Sequence, residues 1–240
     1  MSKLQFDKDN ERLYFNGVDH CALFVKSASG SYGSGVAWNG ISNATVTPDG
    51  GDANDIYADN IKYLSIPGNV NINASITAYT YPDEFNECMG LGKKSDATGL
   101  LFANQDRAKF GLVFRSKIGN DNTSDYGYVL NILYNCLASP TELSSDTVNE
   151  SPEAAELSFD ITTVPLAESD MPEGLKPTSW VRIECKPGGL LSNQTGHVGE
   201  PTQKLQNLLD ALYGTDASQG SEGSAPTFKT PAEIYAILKD

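Results

Sequence analysis

Alternation of apolar and polar positions recurs along the chain and predicts a mainly β protein. Val70, Ile72, Ala74, Ile76 and Ala78 fall on one side of a strand, and Asn71, Asn73, Ser75, Thr77 and Tyr79 fall on the other. A period of two with one apolar side describes a half-buried strand. Pro67-Gly68 separates it from an earlier apolar run at residues 61–66, so these two runs are expected to pair across a turn. The period then lengthens. Pro82, Asp83 and Glu84 suit the first turn of a helix, and Phe85, Cys88 and Met89 follow at i, i+3 and i+4.

Further strands are predicted at residues 19–26, where Cys21, Leu23 and Val25 alternate with His20, Ala22 and Phe24, and at 110–118 and 126–137. The last two flank the polar stretch Gly119, Asn120, Asp121, Asn122, Thr123, Ser124 and Asp125, which reads as the tip of a long hairpin. That tip exceeds the needs of a tight turn, so it is expected to reach a neighbouring subunit. Leu157, Phe159 and Ile161 alternate with Glu156, Ser158, Asp160 and Thr162, and residues 180–185 form another strand. Asn39-Gly40 carries a hairpin signal. Leu205, Leu208, Leu209 and Leu212 predict a helix ended by Gly214, and Thr230-Pro231-Ala232-Glu233 has the capping-box form. The sum is an antiparallel β-sandwich or barrel with flanking helices. Its expected division is an N-terminal arm over 1–16, a β-sandwich domain over 17–186, and a Gly-rich excursion with helical segments over 187–240 that pack on that domain.

Charge changes this picture more than composition does. The 240 residues suffice for one large core at ~100–200 residues per domain. The net charge is −14. Between Lys117 and Lys176 there is no basic residue, while Asp121, Asp125, Glu142, Asp146, Glu150, Glu153, Glu156, Asp160, Glu168, Asp170 and Glu173 all occur. Binding to the nucleic-acid backbone rests on Lys and Arg releasing counterions, so this balance argues against it. The polar opening of the chain lacks the apolar core of a secretory signal, and no apolar run approaches the ~20 residues of a membrane span. The four cysteines, Cys21, Cys88, Cys136 and Cys185, are widely spaced and expected to be reduced and buried.

Chemistry finds little to build on. The two histidines, His20 and His197, lie at metal-ligand spacing neither from each other nor from a cysteine pair. His20 and Cys21 are strand neighbours, whose side chains point to opposite faces and do not make a nucleophile and base. Asp121, Thr123 and Asp125 fall at calcium-loop spacing, but Tyr126 replaces the required glycine and Ile132 the closing Glu. The loop over 27–35 lacks the lysine of a phosphate-binding loop. No enzyme activity, metal or cofactor is therefore expected. Trp38, Tyr57, Tyr63, Tyr79 and Tyr81 are assigned to core and interface packing, which aromatic residues favour.

Several motifs occur in order across residues 17–163: Gly35-Val36-Ala37-Trp38-Asn39-Gly40, Tyr57-Ala58-Asp59-Asn60-Ile61-Lys62-Tyr63-Leu64, Ala78-Tyr79-Thr80-Tyr81-Pro82-Asp83-Glu84-Phe85, Ile118-Gly119-Asn120-Asp121, Asp125-Tyr126-Gly127-Tyr128 and the step from Asn149 to Ala154. Together they resemble the major tail protein (tail tube protein) of long-tailed bacteriophages and prophages of Gram-positive bacteria. The resemblance implies the phage tail-tube fold, in which an inner sheet is completed across subunits in a ring. It also implies a structural virion protein whose hexameric rings stack into a hollow tube through which phage DNA is ejected without specific binding. Implied partners are further copies of the chain, tape-measure and tail-tip or baseplate proteins, with assembly in the host cytoplasm and a final place in the virion tail. On this view Asp160 and, second, Glu156 are expected to face the lumen. The alternative is a carbohydrate-binding β-sandwich module of a phage or bacterial surface. Residues 1–16, the segment 187–199 and residues 180–186 depart from the family pattern.

Overall fold

The strands in chain order are β1 (Tyr14–Val25), β2 (Val36–Trp38), β3 (Ile41–Gly50), β4 (Asn54–Ala58), β5 (Ile61–Ile66) and β6 (Val70–Ala78), followed by the short helix α1 (Phe85–Cys88). Next come β7 (Gly92–Lys93), β8 (Leu101–Phe102), β9 (Phe110–Gly119), β10 (Gly127–Ala138), β11 (Leu157–Thr163) and β12 (Trp180–Cys185), then the helices α2 (Gln203–Tyr213) and α3 (Pro231–Leu238). This computed structural model describes residues 4, 6, 9, 11–93, 99–143, 147, 154–187, 189, 191, 201–217 and 222–239. His197, the excursion over 192–200, the acids Asp146, Glu150 and Glu153, and most of the Asn149 motif lie outside the described residues.

One antiparallel sheet runs in the order β2-β1-β9-β10-β11-β6-β3, with β12 attached to β10. The branching has a local cause. The first half of β10 pairs with β12, from Tyr128↔Cys185 to Leu133↔Trp180, and its end pairs with β11, from Cys136↔Thr163 to Ala138↔Ile161. Between the halves the β9 register shifts at Leu133/Cys136, and Asn135 takes a left-handed conformation at φ 47°. A bulge of this kind bends the strand and re-aims its side chains. Leu133, Cys136 and Ala138 consequently share one core although their numbers do not alternate evenly. In β1 a second bulge at His20, φ 48°, does the same for Val18 and Cys21.

The bent sheet closes over a first core in which Trp38, Phe85, Phe110 and Phe159 meet. Phe85 of α1 lies 4.5 Å from Trp38, 5.5 Å from Phe110 and 5.1 Å from Phe159, centroid to centroid. The Trp38 indole N–H donates to the Thr80 carbonyl at 2.9 Å. A second core lies on the opposite face of β1, β9, β10 and β12, where Phe24, Leu130, Ile132 and Ile183 meet Leu205, Leu208, Leu212 and Ile234 of α2 and α3. The layers are sheet on sheet with a helical cover on one side. Thr202 caps α2, and Thr230 with Glu233 forms the capping box of α3. A Cβ on Gly111 would strike the Phe228 ring, which packs against Phe24 at 4.9 Å and Tyr134 at 5.1 Å.

Three expectations change. Residues 61–66 do not pair with 70–78; β5 pairs with β4, and β6 with β3 and β11. Asn39-Gly40 is not a hairpin turn either. It is the corner at which the chain leaves β1's neighbour β2 for β6's neighbour β3, with Gly40 at φ 77° and its carbonyl accepting from Tyr79 N–H. β1 begins at Tyr14, so the stretch expected to be an arm already contributes to the sheet. In the first two cases the turn residues are sound but the strand that follows them, β6 or β3, takes its hydrogen bonds from strands other than the one before the turn.

Between β1 and β9, Asp19 accepts from Arg115 through both carboxylate oxygens at 2.8 and 3.0 Å, and the guanidinium sits 4.9 Å from the Tyr128 ring centroid. Burial pushes the Asp19 carboxyl up, but hydrogen bonds and charge from Arg115, aided by His20, outweigh it and hold the group below its usual range. A depressed carboxylate contributes stability that is present above the unfolded value of ~3.9 and is lost as pH falls through the folded one. Asp19→Asn should therefore lower the denaturant midpoint at pH 7 and flatten its decline on acidification below about pH 4. Phe85→Ala should cost about 3–5 kcal/mol in chemical denaturation of the monomer, with Thr162→Ala on the outer face as a control within about 0.5 kcal/mol of wild type.

Candidate assembly surfaces

The β4–β5 hairpin forms a two-stranded sheet of its own, separate from the main sheet. Asp59 and Asn60 make its turn, both left-handed at φ 51° and 63°, a conformation that Asp and Asn tolerate. The register places Ile56 opposite Leu64, Asn54 opposite Ile66 and Ala58 opposite Ile61, so these residues share one face. Asp55, Ser65 and Lys62 occupy the other, where Asp55 bonds the Lys62 ammonium at 2.8 Å and the Ser65 hydroxyl. Those two bonds hold the Asp55 carboxyl below its usual range. Ile61 is 64% exposed, Tyr57 69% and Tyr63 70%, and Ile56, Leu64 and Ile66 are exposed as well. This is an amphipathic arm whose apolar side meets solvent.

A different surface lies on the outward side of β11, β6 and β3. Cross-strand pairing aligns Ser158, Thr77 and Asn43 in one row, Asp160, Ser75 and Thr45 in the next, and Thr162, Asn73 and Thr47 in a third. Asn71 and Asp49 continue it, with the Asn73 amide donating to Asp49 at 3.4 Å. The alternate residues Ala74, Ile76, Phe159 and Ile161 point into the first core. Asp160 is exposed at the edge strand of the rows, and Glu156 lies just before β11, where the Tyr79 hydroxyl bonds to it. That bond and the negative charge of Glu156 raise the Tyr79 phenol above its ordinary value. Leu137 of β10 borders the Thr162 row.

At the tip of β9–β10, the buried Asn120 organises the loop by accepting from the backbone N–H of Asn122 and Thr123 at 3.1 and 2.8 Å. Its own N–H donates to the Thr123 carbonyl at 2.8 Å. The Asn16 side chain donates to Ser124, so β1 steadies the tip. The Asp121-to-Asp125 stretch is thus a compact turn. Exposure divides the nominated aromatics: Trp38 is buried and Tyr81 packs 5.7 Å from Phe159, whereas Tyr57, Tyr63 and Tyr79 project from the chain. Tyr57 and Tyr63 project because the arm has no second layer above it.

His20 lies on its bulge beside Asp19 and Arg115, 2.7 Å from the guanidinium, while Cys21 is buried in the first core and its thiol is pushed far up by burial. Burial likewise raises Cys88 to about 12. All four cysteines are buried and none is in a disulfide. Among the described residues no cluster of three or more His, Cys, Asp and Glu is placed to hold a metal, and no helix is long and apolar enough to cross a membrane. A cleft of about 290 Å³ opens between Phe15, Ser116, Asn131 and Arg182 on one side and Ser42 and Asn43 on the other.

No protein-family model matches the chain, and no curated protein matches it. Among solved structures, it is similar to a chain of the anti-feeding prophage (AFP) baseplate at 9% identity and TM-score 0.36, covering 76% of this chain and 97% of that one. It is also similar to the SPP1 tail tube at 14% identity and TM-score 0.35, covering 89% of this chain and 97% of that one.

The Asn120 geometry yields a local test. Asn120→Ala strands the Asn122 and Thr123 amides and should weaken the tip by about 1–3 kcal/mol without unfolding the sheet. Hydrogen exchange should accelerate at those two amides and stay unchanged in the centre of β9 and β10.

Proposed function

We propose that this chain is a structural phage-tail protein, the major subunit of a tail tube, and that it acts by self-assembly rather than catalysis. The observation that carries the reading is the β4–β5 arm. A lone two-stranded hairpin is at best marginally stable in water. This one turns Ile56, Ile61, Leu64 and Ile66 outward, which is costly for a monomer and useful for a subunit. The same arm carries Tyr57 through Leu64, one of the motifs by which the sequence resembles tail tube proteins.

Strand edges support the reading. Among the described residues, β3 and β2 end the path of the main sheet, and β12 pairs with β10 alone. Edges of this kind invite pairing with another chain, and a heterologous contact that closes by rotation makes a ring. In the proposed assembly, rings of six subunits stack into a hollow tube, arms dock on neighbouring copies, and the Asn120 tip meets an adjacent subunit or ring. Duplex DNA passes along the lumen, with Asp160 and Glu156 facing it. Tape-measure and tail-tip or baseplate proteins bound the tube at its ends, in the virion tail.

Ile61→Asp combined with Leu64→Asp tests the reading. The variant should keep the monomer's thermal midpoint, because neither side chain contributes to a core, and lose the large particles that wild type gives in light scattering and electron microscopy. Tubes of normal length from the double variant would sink the role of the arm. A wild-type protein that remains monomeric at high concentration, even with tail-initiating proteins, would sink the tube.

A further inference from the structure

Resting on the tail-tube reading, we propose that the cleft between β1 and β3 is a socket for Tyr63 of another copy's arm, with the Tyr63 hydroxyl donating to the buried side-chain carbonyl of Asn16. Phe15, Val18, Ala44 and Val129 give the cleft apolar walls, and Arg182 stands beside them with its guanidinium 5.6 Å from the Phe15 ring centroid. Asn16 lines the same cleft. Its amide donates to the Ser124 carbonyl at 3.2 Å, whereas its Oδ1 is buried and meets no donor among the described residues. A buried acceptor without a donor is costly, so the cleft suits a side chain that has an apolar body and a donor at its end. Tyrosine is such a side chain. The space also fits, since a cavity of about 150 Å³ takes a benzene ring and this one measures about 290 Å³.

The arm presents the tyrosine. Its register slips so that Ile56 faces Leu64 and Tyr57 faces Lys62, which leaves Tyr63 as the extra residue of a bulge. A bulge re-aims the side chain it carries, and Tyr63 is 70% exposed. Other exposed tyrosines are already engaged: Tyr79 bonds Glu156, the Tyr14 ring covers Gly119, and the Lys239 ammonium sits 5.8 Å from the Tyr235 ring centroid. Tyr57 shares the side of the arm where Asp55 bonds Lys62. The arm of the same chain is badly placed for the cleft. β3 passes it at residues 42–44 and runs on to Gly50, about 20 Å of strand at ~3.3 Å per residue, before the arm begins. Socket and arm thus lie at opposite ends of β3, and their contact joins different patches of two copies, the heterologous kind that closes into a ring or continues along a filament.

The buried native thiols leave room for a crosslinking test, with Ser42→Cys at the lip of the cleft in one batch of subunits and Tyr63→Cys in another. Tubes assembled from Ser42→Cys subunits with a minority of Tyr63→Cys should give a disulfide-linked dimer on a non-reducing gel after oxidation by air and copper phenanthroline. Asn207→Cys, exposed on α2, should not link in place of Ser42→Cys. Tubes in which the Ser42 and Tyr63 positions never link, or in which the Asn207 position links equally well, would overturn the socket with the tube intact. For the hydroxyl, Tyr63→Phe should raise the critical concentration for tube formation roughly three- to tenfold, the range that one lost hydrogen bond produces. Asn16→Ala also releases Ser124, so only the coupling is read: in that background Tyr63→Phe should change the critical concentration by less than about twofold. An equal penalty in both backgrounds, or none in either, would overturn the bond to Asn16. Absence of tubes from wild type is a separate result and removes the tail-tube reading beneath the inference.

Discussion

The whole architecture turns on β10 serving two partners in succession, β12 and then β11, along the edge that β9 leaves open. A strand that stayed regular from Gly127 to Ala138 would carry its even-numbered side chains on one face throughout, and either the helical core or the sheet-on-sheet core would lose its contribution. Asn135 prevents this. Its side-chain oxygen accepts from the Lys26 ammonium at 2.8 Å and the Tyr32 hydroxyl at 3.3 Å, its backbone N–H donates to that same hydroxyl, and its amide donates to the Val164 carbonyl. Three separate segments thereby hold one residue in a backbone conformation that Asn tolerates better than most. With the bend fixed, β11 and β12 can leave β10 in different directions, and two cores can form on one continuous sheet.

How much of this was legible in the sequence depends on the range of the interaction. Strand 156–163 could be read because it alternates against a single buried face, and 110–118 and 126–137 because apolar runs either side of a polar tip suit strands covered on both faces. The capping box could be read because Thr230 and Glu233 act within one turn. Strand partnership could not. Pro67-Gly68 and Asn39-Gly40 are sound turn residues, yet one ends at the root of a projecting arm and the other is a corner between the two end strands of the main sheet. What decides those outcomes is competition from β11 and β1, remote in the chain. The bulges at His20 and Asn135 were hidden for a related reason: they interrupt the alternation by one residue, which blurs a periodic signal rather than announcing itself.

The functional surfaces were legible to different degrees. Asp160 could be placed on the polar face of its strand, and the pairing with Ser75 and Thr45 then shows that face to be broad and its paired rows free of basic side chains, which no single strand reveals. By residue type Tyr57 and Tyr63 suit either core or interface packing, and their exposure on the arm takes them out of the core and leaves them available for another molecule. The sequence signal for this is that seven of the eleven residues over 56–66 are apolar or aromatic, more than a two-stranded hairpin with no second layer can bury.

The arm also bears on timing. A hairpin held by one turn and its own strand pairing retains much of its freedom until something supports it, and that freedom is surrendered at the moment of contact. In the proposed tube, two isolated subunits would recover little for this loss, so their first encounter would be weak, whereas a rim that already presents ordered neighbours would return far more on each addition. Growth from an existing end would thereby be favoured over spontaneous starts, and the exposed side chains of the arm would keep a concentrated pool of subunits waiting for a template.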